Sequence, residues 1–438
     1  MDEILLHKVP IELQDIFKKV NEGRQKKVLM EGAPGCGKST LSFHICQQWA
    51  DGQHFQEYDM VILVPLRDSI IMNAKHVADL LPRRDEAMGQ DVMKAMNDNN
   101  GRGVLFVLDG WDELPHVVPG HLVILELMRS AQLHESSIII TSRPTTSANL
   151  HPLVSARIEI MGFTKDELRR YFTGCLQDDT KAVQTLLQRI KENPAVEGSC
   201  YLPLNASILV HLFKCEGNLL PASQYGIFSA LIINCILRNS KKRGQQEIYA
   251  VESLDNLPQA INSQFQHLCQ VAYKGVMEDK VIFDLGSGID TLGLLQGVES
   301  FTMFGRSHSY NFLHLSIQEL LAAHHMTTQL SATEQTEQFR QLFGQARFSA
   351  VFQFFAAKTK LKTSGISDVI TKVVQKHDKH LLLSLLHCLF EAQDPSLCQK
   401  VVESLEYKLN LGGISLSPAD CLSLGYFLKS AKDIHELK

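Results

Sequence analysis

The residues best suited to chemistry form a glycine-rich run, GAPGCGKS, from Gly32 to Ser39. The run matches the pattern GxxxxGK(S/T) in full, and it separates an apolar segment, VLME, from a segment of helical character, TLSFHICQQWA. Glycines at such positions let backbone N–H groups curl around phosphate oxygens, and the start of the following helix adds the positive end of its dipole. We expect Lys38 to reach the β- and γ-phosphates of a nucleotide and Ser39 to ligate Mg²⁺. The predicted nucleotide contacts are Gly32, Ala33, Pro34, Gly35, Cys36, Gly37, Lys38, Ser39 and Thr40.

A second group of polar residues follows a later apolar run, VLFVLD, which ends at Asp109. A carboxylate at the end of a neighbouring strand can hold the water shell of the metal ion, so Asp109 is the second predicted Mg²⁺ residue. In P-loop ATPases that hydrolyse quickly, a glutamate commonly follows this aspartate directly, but here Gly110 takes that place. We therefore expect slow hydrolysis at most, with Asp112 or Glu113 positioning the attacking water. The alternative is that these two are turn carboxylates without a catalytic role.

An arginine follows a third apolar run, SIIITSRP, in which Pro144 ends the strand. Arg143 at this position can sense a γ-phosphate through a forked, charge-assisted contact, and we count it among the predicted catalytic residues. The alternative is an exposed arginine at a strand end. The sequence has no NKxD motif, which reads guanine, so adenine nucleotides (ATP and ADP) are favoured.

Cys36 lies inside the glycine-rich run, next to the start of a helix. That position lowers the pKa of a thiol, so a redox-sensitive switch is one interpretation. We favour the simpler one, in which Cys36 is a small residue tolerated in the loop.

Five short apolar runs alternate with helical stretches between residues 27 and 160: VLMEG, MVILVPL, VLFVLD, SIIITS and IEI. Each run is apolar at consecutive positions, as is typical of strands buried on both faces. Strands that alternate with helices predict a parallel sheet covered by helices. The glycine-rich run, Asp109 and Arg143 then each follow a strand of one α/β domain.

The rest of the chain has helical periodicity almost throughout. Thr164 with Glu167 predicts a capping box at the start of one helix, and Ser316 with Glu319 predicts the start of another. Between residues 280 and 314 glycines and the strand-like pieces VIFDL and YNFLHL interrupt the helical pattern. This change in composition predicts a small β-wing among the helices.

Composition excludes several classes of function. The 438 residues include 45% hydrophobic and 21% charged residues, which is typical of a folded chain of several domains. A formal charge of -5 gives no positive field for a polyanion, so no nucleic-acid partner is expected. The apolar runs are too short for a transmembrane segment, and the start, MDEILLHKVPIELQDIF, lacks the features of a signal peptide, so we expect a cytoplasmic protein. Ten cysteines without a CxxC pair indicate neither a zinc site nor a disulfide framework.

The segments GAPGCGKST, LFVLDGWDELP and IIITSRP, in that order and spacing, resemble the NACHT nucleotide-binding module of the STAND ATPases, as found in NOD-like receptors. CYLPLNASIL resembles the helical-domain motif of that family, whose proline packs against the adenine and would be Pro203. FLHLSIQELLAA resembles its winged-helix motif, whose histidine contacts the β-phosphate of bound ADP and would be His314. Alone, neither residue would be persuasive, because a proline at the start of a helix and a histidine after apolar residues are both ordinary.

The resemblance covers nearly the whole chain and implies an α/β P-loop NTPase with a parallel sheet, followed by all-α helical domains and a winged-helix domain. The implied divisions are a lead-in (1–26), the NACHT domain (27–160), helical domain 1 (161–215), the winged-helix domain (216–326), helical domain 2 (327–410) and the start of a leucine-rich repeat region (411–438). The lead-in is too short for the death-fold effector domain of such receptors. The expectation is a switch without recognisable output or sensor.

The resemblance implies a switch in which exchange of ADP for ATP controls opening and self-oligomerisation, alone or with NACHT relatives, in innate immune signalling. Two alternatives remain open. One is a turnover-driven ATPase of the AAA type, against which Gly110 directly after Asp109 argues. The other is a non-hydrolysing adaptor or inhibitor of full-length relatives.

Overall fold

The computed structural model describes residues 10–17, 26–81, 86–115, 118–144, 146–216, 221, 223–242, 251, 253–285, 292–302, 305–414, 416–431 and 434–437. The chain divides into two compact units. The first consists of Met1–Gly162 with Glu299–Ser307, and the second of Phe163–Val298 with His308–Lys438.

The first unit contains a five-stranded parallel sheet. Its strands are β1 (Lys27–Gly32), β2 (Met60–Pro65), β3 (Val104–Asp109), β4 (Ser137–Ser142) and β5 (Ala156–Ile160). The strand order is β2-β3-β4-β1-β5, and every neighbouring pair is parallel. All five predicted strands are confirmed, and so is the α/β fold class.

Burial along the strands follows their place in the sheet. Every residue of β1, β3 and β4 is buried, whereas the edge strands β2 and β5 are partly exposed. Helices cover the faces: α1 (Lys38–Ala50), α2 (Ser69–Met72), α3 (Glu86–Asp98) and α4 (Pro119–Met128). Since β1, β3 and β4 carry apolar residues at consecutive positions, both of their faces can be buried without isolating polar groups.

The strand order decides which loops meet. Strand β4 lies between β1 and β3, and all three run in the same direction. The carboxyl ends of parallel strands share one edge, where α/β sheets place their ligands. The residues that follow β1, β3 and β4 therefore come together at this edge.

The second unit is built of helices, as predicted. They are α5 (Lys165–Cys175), α6 (Thr180–Glu192), α7 (Pro194–Ser199), α8 (Pro203–Glu216), α9 (Gln224–Lys242), α10 (Gln259–Glu278), α11 (Leu315–Gln329), α12 (Ala332–Leu342), α13 (Ser349–Thr359), α14 (Ile366–Gln375), α15 (Lys379–Ala392), α16 (Pro395–Ser404) and α17 (Pro418–Ser430). The predicted capping box at Thr164 is confirmed: its hydroxyl accepts from the Glu167 backbone N–H at 3.2 Å. No helix within the described ranges is long and apolar enough to cross a membrane.

The predicted cap at Ser316 is wrong. Helix α11 begins at Leu315, and its N-cap is His314, whose Nδ1 accepts a hydrogen bond from the Ser316 backbone N–H at 3.0 Å. Ser316 lies inside the first turn and is buried. A ring nitrogen of a neutral histidine is an acceptor, so it satisfies a free N–H at the helix start as a serine hydroxyl does.

Two small sheets interrupt the helices. Strands β6 (Leu295–Thr302) and β7 (Gly305–Phe312) pair with each other where the wing was predicted. Residues 286–291, 303 and 304 of the predicted segment lie outside the described residues. Near the end of the chain, β8 (Lys408–Leu409) and β9 (Glu436–Leu437) pair in parallel, with Lys408 opposite Glu436. Helix α17 lies between these two strands in the sequence.

Candidate functional site

The glycine-rich run forms the turn between β1 and α1. Gly35 and Gly37 have φ angles of 76° and 101°, a left-handed conformation that glycine adopts without strain. Lys38 Nζ donates hydrogen bonds to the carbonyl oxygens of Gly32, at 2.9 Å, and Ala33, at 3.2 Å. The ammonium group is therefore held over the start of the loop, and Ser39 and Thr40 follow in the first turn of α1.

Cys36 serves packing. Its side chain is 3% exposed, and a Cβ added to Gly32 would meet Cys36 Sγ at 2.4 Å. Burial raises the pKa of the Cys36 thiol, against a smaller opposing effect of the Lys38 charge. The idea of a thiol with a lowered pKa is therefore wrong, because desolvation of the thiolate outweighs the cationic surroundings.

Asp109, at the end of β3, is hydrogen-bonded to both α1 and β4. Its Oδ1 accepts from Ser42 Oγ at 3.0 Å and from Thr141 Oγ1 at 2.8 Å, and Thr141 Oγ1 in turn accepts from the Gly110 backbone N–H at 2.8 Å. Ser42 belongs to α1, and Thr141 to β4. Neither residue was among the predicted site residues. Ser42 could have been found, because it lies three residues after Ser39 and thus on the same helix face.

A tight turn positions the two carboxylates after β3. Gly110 has φ 90° and ψ 55°, and a short 3₁₀ turn follows from Trp111 to Glu113. Trp111 is buried, stacks on His121 with ring centroids 4.7 Å apart, and donates from Nε1 to Asn149 Oδ1 at 3.3 Å. The indole thus anchors the turn against α4 on one side and the segment after β4 on the other.

Two of the predicted catalytic residues form an ion pair. Arg143 Nε lies 2.8 Å from Asp112 Oδ2, and the Arg143 backbone N–H donates to Asp112 Oδ1 at 3.2 Å. The side chains are only 12% and 5% exposed, respectively. Because both oxygens of Asp112 are engaged by Arg143, this carboxylate is poorly placed to hold a water molecule.

Glu113 is in a different situation. Its Oε2 lies 3.9 Å from Arg67 Nη1, and its side chain is 22% exposed. Burial, and next the charge of Asp112, raise the pKa of Glu113 to about 7, while Arg67 opposes the shift. A carboxylate with that proton affinity suits a general base near neutral pH. Arg67, a cation two residues after the end of β2, was not among the predicted site residues.

Pro203 and His314 belong to the second unit. Pro203 is the first residue of α8 and is partly exposed, while the buried Asn205 donates from Nδ2 to the Ser199 carbonyl at 3.2 Å. His314 Nδ1 accepts from the backbone of α11, so the proton of the neutral ring resides on Nε2. The cap therefore gives His314 a donor at Nε2.

A family model described as "NACHT domain" matches residues 26–179. That stretch contains the loop, Asp109, the two carboxylates and Arg143. A match to this NTPase domain supports nucleotide binding.

Several curated relatives resemble a longer part of the chain. "NACHT, LRR and PYD domains-containing protein 10" of Mus musculus is 24% identical over 335 residues, covering 72% of this chain and 47% of the relative. "Protein NLRC5" of Mus musculus is 23% identical, covering 97% of this chain and 24% of the relative. "NACHT, LRR and PYD domains-containing protein 1a" of Mus musculus is 26% identical, covering 90% and 36%. The chain thus spans less than half of the length of these relatives.

Among solved structures, the ORC2 protein of Aeropyrum pernix is similar to this chain with 9% sequence identity and a TM-score of 0.31. The match covers 77% of this chain and 89% of the ORC2 chain. A score this low does not establish a shared overall fold. The domain match and the curated relatives agree with the motifs placed at the edge of the sheet. The chain therefore contains a NACHT domain over residues 26–179, and over a longer stretch it resembles proteins of the NOD-like receptor type.

Proposed function

We propose that this chain is a signal-transducing NTPase switch, whose state is set by the adenine nucleotide held at residues 32–40. The observation that carries the proposal is the Asp109 carboxylate. It accepts hydrogen bonds from the helix that follows the phosphate loop and from the strand that ends next to Arg143. The groups that would hold a phosphate chain, a metal ion and a γ-phosphate are therefore tied to one another at a single edge of the sheet.

In the proposed site, backbone N–H groups of the loop and Lys38 Nζ hold the β- and γ-phosphates. Ser39 and Asp109 would hold Mg²⁺, which would neutralise part of the phosphate charge. The surroundings of Asp109 suit this role, because both of its hydrogen bonds use Oδ1 and none within the described part of the chain uses Oδ2. The described residues contain no group of three or more His, Cys, Asp or Glu that could hold a metal ion.

We assign slow hydrolysis to the site. Asp112 is occupied by Arg143, so Glu113 is the residue that would orient the attacking water and accept its proton. The turn at Gly110 places Glu113 four residues beyond Asp109 rather than directly after it. A general base that does not directly follow the metal-binding aspartate implies slow hydrolysis. Slow hydrolysis suits a switch that holds its nucleotide for a long time.

The switch requires a contact that differs between the two nucleotides. We assign it to His314 and Arg143. The Nε2–H of His314 would donate to the β-phosphate of ADP, and Pro203 would pack against the adenine, which favours a closed monomer. Arg143 would contact the γ-phosphate of ATP, and the His314 contact would be lost, so that the helical domains rotate and copies of the chain assemble with one another or with NACHT relatives.

The domain divisions at 27–160, 161–215, 216–326 and 327–410 form part of the same proposal. The end of the chain forms a strand–helix–strand unit of β8, α17 and β9. Lys408 of β8 pairs with Glu436 of β9, and the two residues are 28 positions apart in the sequence. That spacing is within the period of leucine-rich repeats. It supports assigning residues 411–438 to the start of such a region, and we place the switch in innate immune signalling in the cytoplasm.

Solution mass tests the switch. Light scattering on the full chain should give a monomer with ADP and a larger species with a non-hydrolysable ATP analogue and Mg²⁺. Lys38→Ala should stay monomeric with both, because it lacks the phosphate contact. His314→Ala should assemble at lower analogue concentration than the wild type. Equal masses with both nucleotides, or rapid steady-state turnover, would contradict the switch and favour a turnover-driven ATPase.

A further inference from the structure

Glu31 is a buried carboxylate next to the phosphate loop with no role in the site described so far. It precedes Gly32 at the end of β1, and its side chain is 7% exposed. Glu31 Oε1 accepts from Ser147 Oγ and lies 3.1 Å from His151 Nε2, while Oε2 accepts from Arg157 Nε at 3.0 Å and Nη2 at 2.8 Å. A charge taken out of water at this position is retained only because it is fully paired and hydrogen-bonded.

The carboxylate is ionised at neutral pH. Burial alone would raise the pKa of Glu31, but the hydrogen bonds from Ser147, Arg157 and His151 lower it below its ordinary value. Glu31 is therefore a fixed negative charge at the base of the phosphate loop.

Ser147 connects this charge to the segment that follows Arg143. The Thr146 backbone N–H donates to the Arg143 carbonyl at 3.2 Å, which closes a turn directly before Ser147. Within the same segment, Asn149 Oδ1 accepts from Trp111 Nε1 at 3.3 Å. Residues 146–151 are thus tied to β1 through Glu31 and to the turn after β3 through Trp111.

We propose that Glu31 is a positioning residue that sets Arg143 relative to the phosphate loop, and thereby sets the preference for a nucleoside triphosphate over a diphosphate. This inference rests on the proposed function, because the position of Arg143 matters only if its guanidinium contacts a γ-phosphate. The contacts to a diphosphate come from the loop and Lys38, which belong to β1 and α1. The contact to a γ-phosphate comes in addition from Arg143, whose carbonyl accepts from the Thr146 backbone N–H directly before Ser147.

Two consequences follow for the tie between Glu31 and Ser147. Loosening it lets Arg143 move relative to the loop, and a forked, charge-assisted contact to a phosphate weakens when its geometry is lost. The same change leaves the loop conformation to its own glycines and to Lys38. Affinity for the triphosphate should therefore fall while affinity for the diphosphate is preserved.

The test compares dissociation constants for ADP and for a non-hydrolysable ATP analogue with Mg²⁺, measured by calorimetry on the full chain. The main variant is Ser147→Ala, which removes the tie but leaves the pairing of Glu31 with Arg157. We expect it to weaken analogue binding about tenfold, about 1.4 kcal/mol, and to change ADP binding by less than about twofold. Glu31→Gln should act in the same direction.

The matched control is Glu135→Gln. Glu135 also pairs with an arginine of the first unit, Arg102, at 2.6 Å, but it precedes β4 and so lies at the opposite edge of the sheet. Both dissociation constants should stay at the wild-type values. An equal loss of both nucleotides in Ser147→Ala, or no loss of either, would overturn the positioning role. A wild-type chain that binds neither nucleotide would instead refute the proposed function.

Discussion

The ion pair between Asp112 and Arg143 makes a quantitative prediction for the variant Asp112→Asn. In the wild type, Asp112 holds both the Nε and the backbone N–H of Arg143, so the proposed contact with a γ-phosphate requires Arg143 to give up or share this carboxylate. The substitution keeps the shape of the side chain and removes the negative charge. Asp112→Asn should therefore bind the triphosphate more tightly than the wild type does.

The size of the effect follows from the geometry. Hydrogen bonds to charged groups contribute about 1.5–3 kcal/mol, and this pair is almost buried, with a contact of 2.8 Å. If Asp112 and a γ-phosphate compete for Arg143, the ratio of the ADP to the analogue dissociation constant should rise about 10- to 100-fold. Without nucleotide, the variant should be less stable to urea by about 1–3 kcal/mol, because Arg143 loses its charged partner.

Calorimetry with ADP and with a non-hydrolysable ATP analogue measures the ratio, and urea unfolding measures the stability. Glu135→Gln is the control, because its pair with Arg102 is exposed to solvent and should contribute little to stability. A stability loss in Asp112→Asn without a rise in the ratio would refute the competition. It would mean that Asp112 aims Arg143 at the phosphate instead of withholding it.

Three further predictions concern the turn after β3 and the helix behind the loop. The rate of ATP hydrolysis should rise about tenfold between pH 6 and pH 8, because Glu113, with a pKa of about 7, must lose its proton to act as a base. Glu113→Gln should abolish this pH dependence. A flat pH profile of the wild type would exclude Glu113 as the base. Ser42→Ala should reduce the urea unfolding free energy by about 1–3 kcal/mol and weaken Mg²⁺-dependent analogue binding, because Asp109 loses a buried donor; unchanged values would contradict this. Gly110→Ala should destabilise by about 1–3 kcal/mol at its φ of 90°, whereas the helical Gly174→Ala, with nothing within 4 Å of the added Cβ, should not; equal effects would argue against strain at Gly110.

Much of the first unit could be predicted because its signals are local. Consecutive apolar residues bounded by glycines and polar residues gave all five strands, and the glycine pattern gave the loop. Asp109 and Arg143 were found because one ends and the other directly follows a strand that is easy to recognise. Parallel strands bring such residues to one edge whatever their order.

The contacts between these residues depended on information that is not local. Asp112 pairs with Arg143, and Ser147 with Glu31, only because β4 lies between β1 and β3, and no short segment of sequence specifies that order. The prediction at Ser316 failed for another reason: the preference for serine as a cap is statistical, and a histidine two residues earlier supplied the acceptor.

The proposed switch depends on an adenine nucleotide held by the loop from Gly32 to Thr40. The most direct measurement is to purify the full chain without added nucleotide, denature it, and identify the ligand that is released. We expect ADP at nearly one molecule per chain, and none from Lys38→Ala. An empty wild-type protein, or a ligand retained equally by Lys38→Ala, would refute the proposed switch.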